Sequence, residues 1–233
     1  LFNKNGKVYL KMDICHYNGI YFWESAFEIN KFTFCQLFNR KKIRLYLIRI
    51  FIKKINLFSI EDYISNSYYI KKYPLFENKL ITLYNGHTID LFETKQINTH
   101  NGKENIILTV GRIGSYPKST NILLKSFIKI ANQSNWELHL AGEIENSFHD
   151  YIENFFENNH HLKNRIVFHG SLNKNELFDL YNRAKIFCLP SIYEGFANVY
   201  SEAMYFGNAI VTTENVSVKD IVLDYSLGEI VEK

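Results

Sequence analysis

The sequence predicts an α/β protein built on doubly wound parallel sheets. From residue 106 onward, short apolar runs alternate with segments of helical periodicity, and capping residues or glycine mark several junctions between them. The chain also has the size for this class, because 233 residues with an apolar fraction of 46% can build one large domain or two smaller ones with real cores.

Taken in order, strands are expected at 106–110, 136–141, 165–168, 185–189 and 209–213, with a last short run at 229–231. Helices are expected between them at 120–133, 147–158, 174–183, 199–206 and 218–223. Ser119 stands where an N-cap belongs, Asn173 does the same with Glu176 three residues on, and Gly207 follows the fourth helix at the usual stop position. The first hundred residues repeat the theme less clearly. They suggest a strand at 7–12, a helical stretch from about 24 to 54, and strands near 56–60 and 80–83, the last part of a second α/β domain. The polar, aperiodic segment 93–104 contains Asn101-Gly102 and reads as a linker. The expected domains are therefore 1–100 and 101–233.

Composition removes several functional classes. A net charge of +3 gives no global electrostatic case for nucleic acid or an anionic membrane. Cys15, Cys35 and Cys188 are odd in number and far apart, which fits neither a disulfide framework nor a zinc site and favours a reducing cytoplasm. No stretch reaches the roughly 18 apolar residues of a membrane span, and the N-terminus lacks the organisation of a signal peptide. The chain starts at Leu1 rather than Met, so a fragment is expected. The run from Arg40 to Lys54 mixes cations with apolar residues; a packed helix with snorkelling Lys and Arg is preferred to a peripheral membrane contact, which is kept as the alternative. His160-His161, His139 and His169 lack the spacing of a helical metal site and are read as packing or surface residues.

Two loops carry the chemistry. After the strand at 106–110 comes Gly111-Arg112-Ile113-Gly114-Ser115-Tyr116-Pro117-Lys118, a glycine-bearing loop at the carboxyl end of a strand, where open parallel sheets bind ligands. Arg112 offers a planar fork of donors and Lys118 a point charge, a pair suited to a diphosphate; the plainer reading is a solvated loop that happens to hold two cations. The second loop follows the strand at 185–189, carries Glu194 and Gly195, and runs into a helix whose amides point back toward the strand ends. Glycine at 195 permits close backbone approach, and Glu202 follows within the helix, so that both carboxylates could face one cleft. The alternative makes Glu194 a helix-start acid and Glu202 a surface residue, but Glu202 lies among Val199, Ala203, Met204 and Phe206, where an idle carboxylate is costly to bury.

These segments resemble the large family of retaining glycosyltransferases with two facing Rossmann-like domains, the GT-B architecture. The resemblance is carried by GRIGSYPKSTNILLKSF at 111–127, WELHLAG at 136–142, IVFHGSL at 166–172, ELFDLYNRAKIFCLPS at 176–191 and EGFANVYSEAMYFGNAIVTT at 194–213, in the family's order. Glu194 and Glu202 match its paired-glutamate motif, and the stretch 56–92 resembles the end of its N-terminal domain, with Tyr84-Asn85-Gly86 approaching the hinge. The resemblance implies that Arg112 and Lys118 contact the donor diphosphate, that Glu202 binds the ribose hydroxyls, and that Glu194 lies beside the donor sugar in a catalytic role. It places main-chain groups of Gly195, Phe196 and Ala197 at the sugar and phosphates, although the family usually has Gly or Pro where Ala197 stands. The turn Gly170-Ser171-Leu172 would cradle the base. The implied partners are a nucleoside diphosphate sugar donor and a glycan or lipid-linked acceptor, with no metal and no other cofactor, in cell-surface polysaccharide biosynthesis. Relative to the family the chain reads as truncated at both ends. A non-catalytic nucleotide-sugar-binding module and a nucleotide-sugar epimerase of the same architecture are the alternatives.

Overall fold

The computed structural model describes residues 9–12, 49–50, 52–86, 96–214 and 217–232. The chain forms two compact units, Leu1–Tyr84 and Asn85–Lys233. Most of the expected 24–54 helix, including most of the cationic run from Arg40, lies outside the described residues, as do Cys15 and Cys35.

The first unit contains a parallel sheet in the order β1 (Tyr9–Met12), β2 (Leu57–Ile60), β3 (Leu80–Thr82). Its core gathers Ile52, Ile55, Phe58, Ile60, Tyr69, Phe76 and Leu80, and the rings of Phe58 and Phe76 meet edge to face at 4.9 Å. Between β2 and β3 runs α1 (Tyr63–Lys72), a helix not anticipated from the sequence. Its start is chemically defined, because the Asp62 carboxylate accepts from the Ser65 amide at 2.6 Å, and Lys71 and Lys72 complement its last turn. Its apolar positions are too sparse to announce it; aromatic packing of Tyr69 supplies what periodicity does not.

The second unit holds a six-stranded, wholly parallel sheet. The strands are β4 (Glu104–Val110), β5 (Glu137–Ala141), β6 (Ile166–Gly170), β7 (Ala184–Leu189), β8 (Ala209–Thr213) and β9 (Gly228–Val231). Their spatial order is β6-β5-β4-β7-β8-β9. Relabelled from the first strand of the unit this is 3-2-1-4-5-6, the order of a dinucleotide-binding sheet, and the direction of winding reverses between β4 and β7. The helices are α2 (Thr120–Ala131), α3 (His149–Asn158), α4 (Lys174–Arg183), α5 (Asn198–Tyr205) and α6 (Lys219–Asp224). Every strand and helix expected between 106 and 231 is present with bounds shifted by at most two residues.

Alternation along β4 shows how the sheet is buried on both faces. Ile106, Leu108 and Val110 join one core with residues of α4, α5 and α6, while Ile107 joins the other with residues of α2 and α3. In α2 the buried positions Thr120, Leu123, Leu124, Phe127 and Ala131 follow the helical repeat onto the second core. The caps are instructive. Asn173 forms the expected capping box with Glu176, and Gly207 ends α5 with φ at +67°. Ser119 does not cap α2. Its backbone is left-handed (φ 50°, ψ 40°), its buried hydroxyl bonds no amide, and the neighbouring Thr120 hydroxyl instead accepts from the Gly114 amide at 3.0 Å.

The division between the units falls upstream of residue 100. Asn98 N–H donates to the Asn182 side chain at 2.8 Å, and Asn182 donates to the Gln96 carbonyl at 2.9 Å. Buried Lys103 spreads its ammonium over the carbonyls of Tyr181, Asn182 and Ala184, each at 3.0 Å, and so closes the end of α4. The polar composition of 96–103 thus serves long-range hydrogen bonds within the second unit.

Candidate functional site

The winding reversal between β4 and β7 opens a crevice at their carboxyl ends, and the two loops singled out from the sequence leave the sheet there. The first loop is braced by its neighbour after β5. Gly111 N–H donates to Ala141 O at 3.0 Å, Ile113 N–H to Glu143 O at 2.8 Å, and Glu145 N–H returns to Ile113 O at 2.9 Å. Gly142 makes this bracing possible: its φ is +138°, and a Cβ there would lie 1.9 Å from the Gly111 carbonyl oxygen.

The two loops are joined directly. Ile192 N–H donates to Pro117 O at 2.7 Å, and the Lys118 ammonium forms a short ion pair with Oε2 of Glu194. Both side chains of the pair are 19% exposed, so solvent screens them only partly. Ser191 Oγ stands 3.4 Å from the same carboxylate oxygen. Beneath it the second loop is fastened to β8: the Thr213 hydroxyl donates to Ser191 O, the Thr212 hydroxyl to Leu189 O at 3.0 Å, and the Tyr200 hydroxyl lies 2.7 Å from Thr212 Oγ1. Burial pushes the Tyr200 phenol far above its ordinary range, so it remains protonated.

The other expected residues occupy distinct positions. Arg112 is 70% exposed and pairs with Glu145 at 4.0 Å, a loose surface contact. Phe196 is buried; its carbonyl accepts from the Asn85 side chain at 2.8 Å, and the Gly195 carbonyl accepts from Ala197 N–H at 3.0 Å. Ala197 is the N-cap of α5 and supplies no side-chain acceptor to its first turn, as Ser119 supplies none to α2. Two helices flanking the crevice therefore begin without a carboxylate or hydroxyl set over their amides, which suits an anion. Glu202 lies on α5, half-buried, and accepts from the Tyr181 hydroxyl at 3.0 Å.

The turn Gly170-Ser171-Leu172 leaves β6, next to β5, and Gly170 O accepts from Gly142 N–H at 2.8 Å. Just before it, His169 Nε2 lies 3.0 Å from His139 Nδ1, and His139 Nε2 lies 3.0 Å from Glu137 Oε2. Burial, and then the charge of His139 and Arg183, lower the His169 pKa. The sequence reading of these histidines as packing residues missed this chain, because only adjacent strands bring it together. It likewise gave no role to Tyr181, Ser191 or Thr213, and named Asn85 only as part of the approach to the hinge. For Ser191 the only sequence signal is its place beside Pro190 at the end of a strand.

Residues 91–233 match the family described as glycosyl transferases group 1. This chain belongs to that family. A relative by sequence is an uncharacterised 41.2 kDa protein in the cps region of Klebsiella pneumoniae, 28% identical over 202 residues, covering 82% of this chain and 52% of the relative. Among solved structures, the chain is similar to WaaG, a glycosyltransferase involved in lipopolysaccharide biosynthesis (TM-score 0.64, 17% identity, 97% of this chain and 61% of WaaG). It is similar also to a Staphylococcus aureus TarM variant in complex with UDP (TM-score 0.69, 18% identity, 99% and 41%). At these identities the structural likeness bears on the fold, which is GT-B type. The chain spans about half the length of the relatives it matches. Among the described residues, no helix is long and apolar enough to cross a membrane.

Proposed function

We propose that this chain supplies the donor-binding half of a retaining glycosyltransferase, which moves a sugar from a nucleoside diphosphate sugar to a glycan or lipid-linked acceptor in surface-polysaccharide biosynthesis. Membership of the glycosyl transferases group 1 family supports a transferase. The observation that carries the donor assignment is the Lys118–Glu194 pair, which bridges the two loops across the winding reversal of the sheet.

The chemistry follows from the groups at that point. Cleaving the donor's glycosidic bond leaves negative charge on the departing diphosphate, which the Lys118 ammonium and two helix N-termini would stabilise. Lys118 would turn from Glu194 toward the diphosphate, while Arg112, tethered only loosely to Glu145, would swing in as the second cation. Glu194, released from its partner, would then face the sugar and stabilise the oxocarbenium-like state as its bond to the leaving group lengthens. Glu202 would take the ribose hydroxyls, the Gly195–Ala197 backbone the phosphates and sugar, and the Gly170–Leu172 turn the base. The sequence similarity to a cps-region protein and the likeness in fold to a lipopolysaccharide enzyme favour a surface-glycan acceptor.

The test is calorimetric titration of the chain with UDP, GDP and ADP and with their sugars, followed by an assay for nucleoside diphosphate release onto acceptor. One base should bind, with Arg112→Ala and Glu202→Ala each weakening it by about 1.5–3 kcal/mol, the value of a hydrogen bond to a charged group. A folded chain that binds no nucleotide refutes the proposal for this chain.

A further inference from the structure

We propose that Tyr181 is a positioning residue for nucleotide recognition, its hydroxyl setting the Glu202 carboxylate for the ribose diol; this rests on the donor-binding reading above. Tyr181 is fully buried, and its hydroxyl lies 3.0 Å from Glu202 Oε2, with Val199 O more distant at 3.4 Å. The two residues belong to different helices, so the bond links α4 to α5. A carboxylate on a helix surface samples several rotamers, and one hydrogen bond from a rigid neighbour removes most of that freedom.

Tyr181 is rigid at every point. Its carbonyl accepts from Lys103 Nζ at 3.0 Å and from Asn208 Nδ2 at 2.8 Å. Its ring stacks on Phe206 at 6.0 Å with planes 4° apart and meets Phe187 at 5.9 Å with planes tilted by 43°. Phe206 caps the end of α5, so the ring and the carboxylate it directs share one support. Burial and the nearby Glu202 charge push the phenol well above its ordinary range, and it therefore stays a donor at any physiological pH. Any buried phenol needs a partner, but phenylalanine would fill nearly the same volume without a polar group to satisfy, so packing alone does not call for the hydroxyl.

The role has a signature that packing lacks. If Tyr181 acts through the grip of Glu202 on the ribose, its loss matters only when ribose hydroxyls are present. UDP, GDP and ADP and their 2′,3′-dideoxy counterparts are titrated into wild-type, Tyr181→Phe and Glu202→Gln chains by calorimetry, with folding checked by circular dichroism. Tyr181→Phe should weaken the ribonucleotide that binds by about ten-fold and its dideoxy counterpart by less than about two-fold. Equal weakening of both, or none, overturns the proposal. Wild-type protein that binds a ribonucleotide and its dideoxy counterpart equally, with no loss on Glu202→Gln, shows instead that the ribose assignment of Glu202 is wrong, and the proposal falls with it. Should Tyr181→Phe not fold, 3-fluorotyrosine at position 181 keeps ring and hydroxyl while changing donor strength. A shift in the ribo-to-dideoxy ratio then supports the role, and an unchanged ratio overturns it.

Discussion

Replacing Lys118 by methionine keeps most of the unbranched side chain and removes its charge, leaving Glu194 without its cation. At an effective dielectric of about 20, unit charges about 4 Å apart interact by about 4 kcal/mol, an upper limit because the pair also loses hydration on folding. With both side chains 19% exposed, a stability loss of about 1–2 kcal/mol is expected. Lys118→Met should also weaken nucleoside diphosphate binding by about 1.5–3 kcal/mol, or roughly 10- to 150-fold. Glu194→Gln separates the two roles. It frees Lys118 from a competing carboxylate, so the variant should bind nucleoside diphosphate at least as tightly as wild type while losing sugar transfer. In the double variant, stability should recover toward wild type because no charge is stranded, whereas binding stays weak. Chemical denaturation and calorimetry on the four proteins complete the cycle. If Glu194→Gln lowers diphosphate affinity as far as Lys118→Met does, the competition argued from their pairing does not exist.

Three further outcomes follow from the geometry. Arg112→Ala, at a site 70% exposed, should shift the melting free energy by less than about 0.5 kcal/mol while still weakening nucleotide binding; an unchanged Kd would remove Arg112 from the site. Gly142→Ala drives a methyl group into the Gly111 carbonyl at a backbone angle of +138° and should cost about 2 kcal/mol or more, read from denaturant midpoints. The Glu104–Arg183 pair gives a pH test. Arg183, through its hydrogen bond first and its charge second, lowers the Glu104 pKa from the ordinary 4.5, so the pair's stabilisation is present above that value and lost as pH falls through the lowered one. The stability difference between wild type and Arg183→Gln should accordingly be full near about pH 6 and shrink as pH falls below the ordinary 4.5, a trend that denaturant melts across the acid range would reveal or exclude.

Much of this protein was legible without coordinates. Strand and helix periodicities are local, so the elements from 106 to 231 emerge within two residues of their expected bounds, and the Asn173–Glu176 box works as its spacing suggests. The two loops could be named because strand, glycine, cation and helix follow one another in the chain. The exceptions have physical causes. Ser119 has the right residue type for a cap, but a left-handed backbone turns its hydroxyl from the amides; α1 gains order from aromatic packing that no repeat discloses; and the polar stretch ahead of Glu104 is held by Asn182 and by the buried Lys103.

The sequence by itself determined the α/β class, the order of elements and the chemical character of the two loops, because each rests on residues a few positions apart. Only the tertiary structure decided which groups meet. Lys118 and Glu194 stand 76 residues apart, His139 and His169 stand 30 apart, and Tyr181 reaches Glu202 from another helix. Those meetings depend on strand order, and in an all-parallel sheet that order is fixed by how the two apolar faces are covered, a long-range balance that no local pattern records.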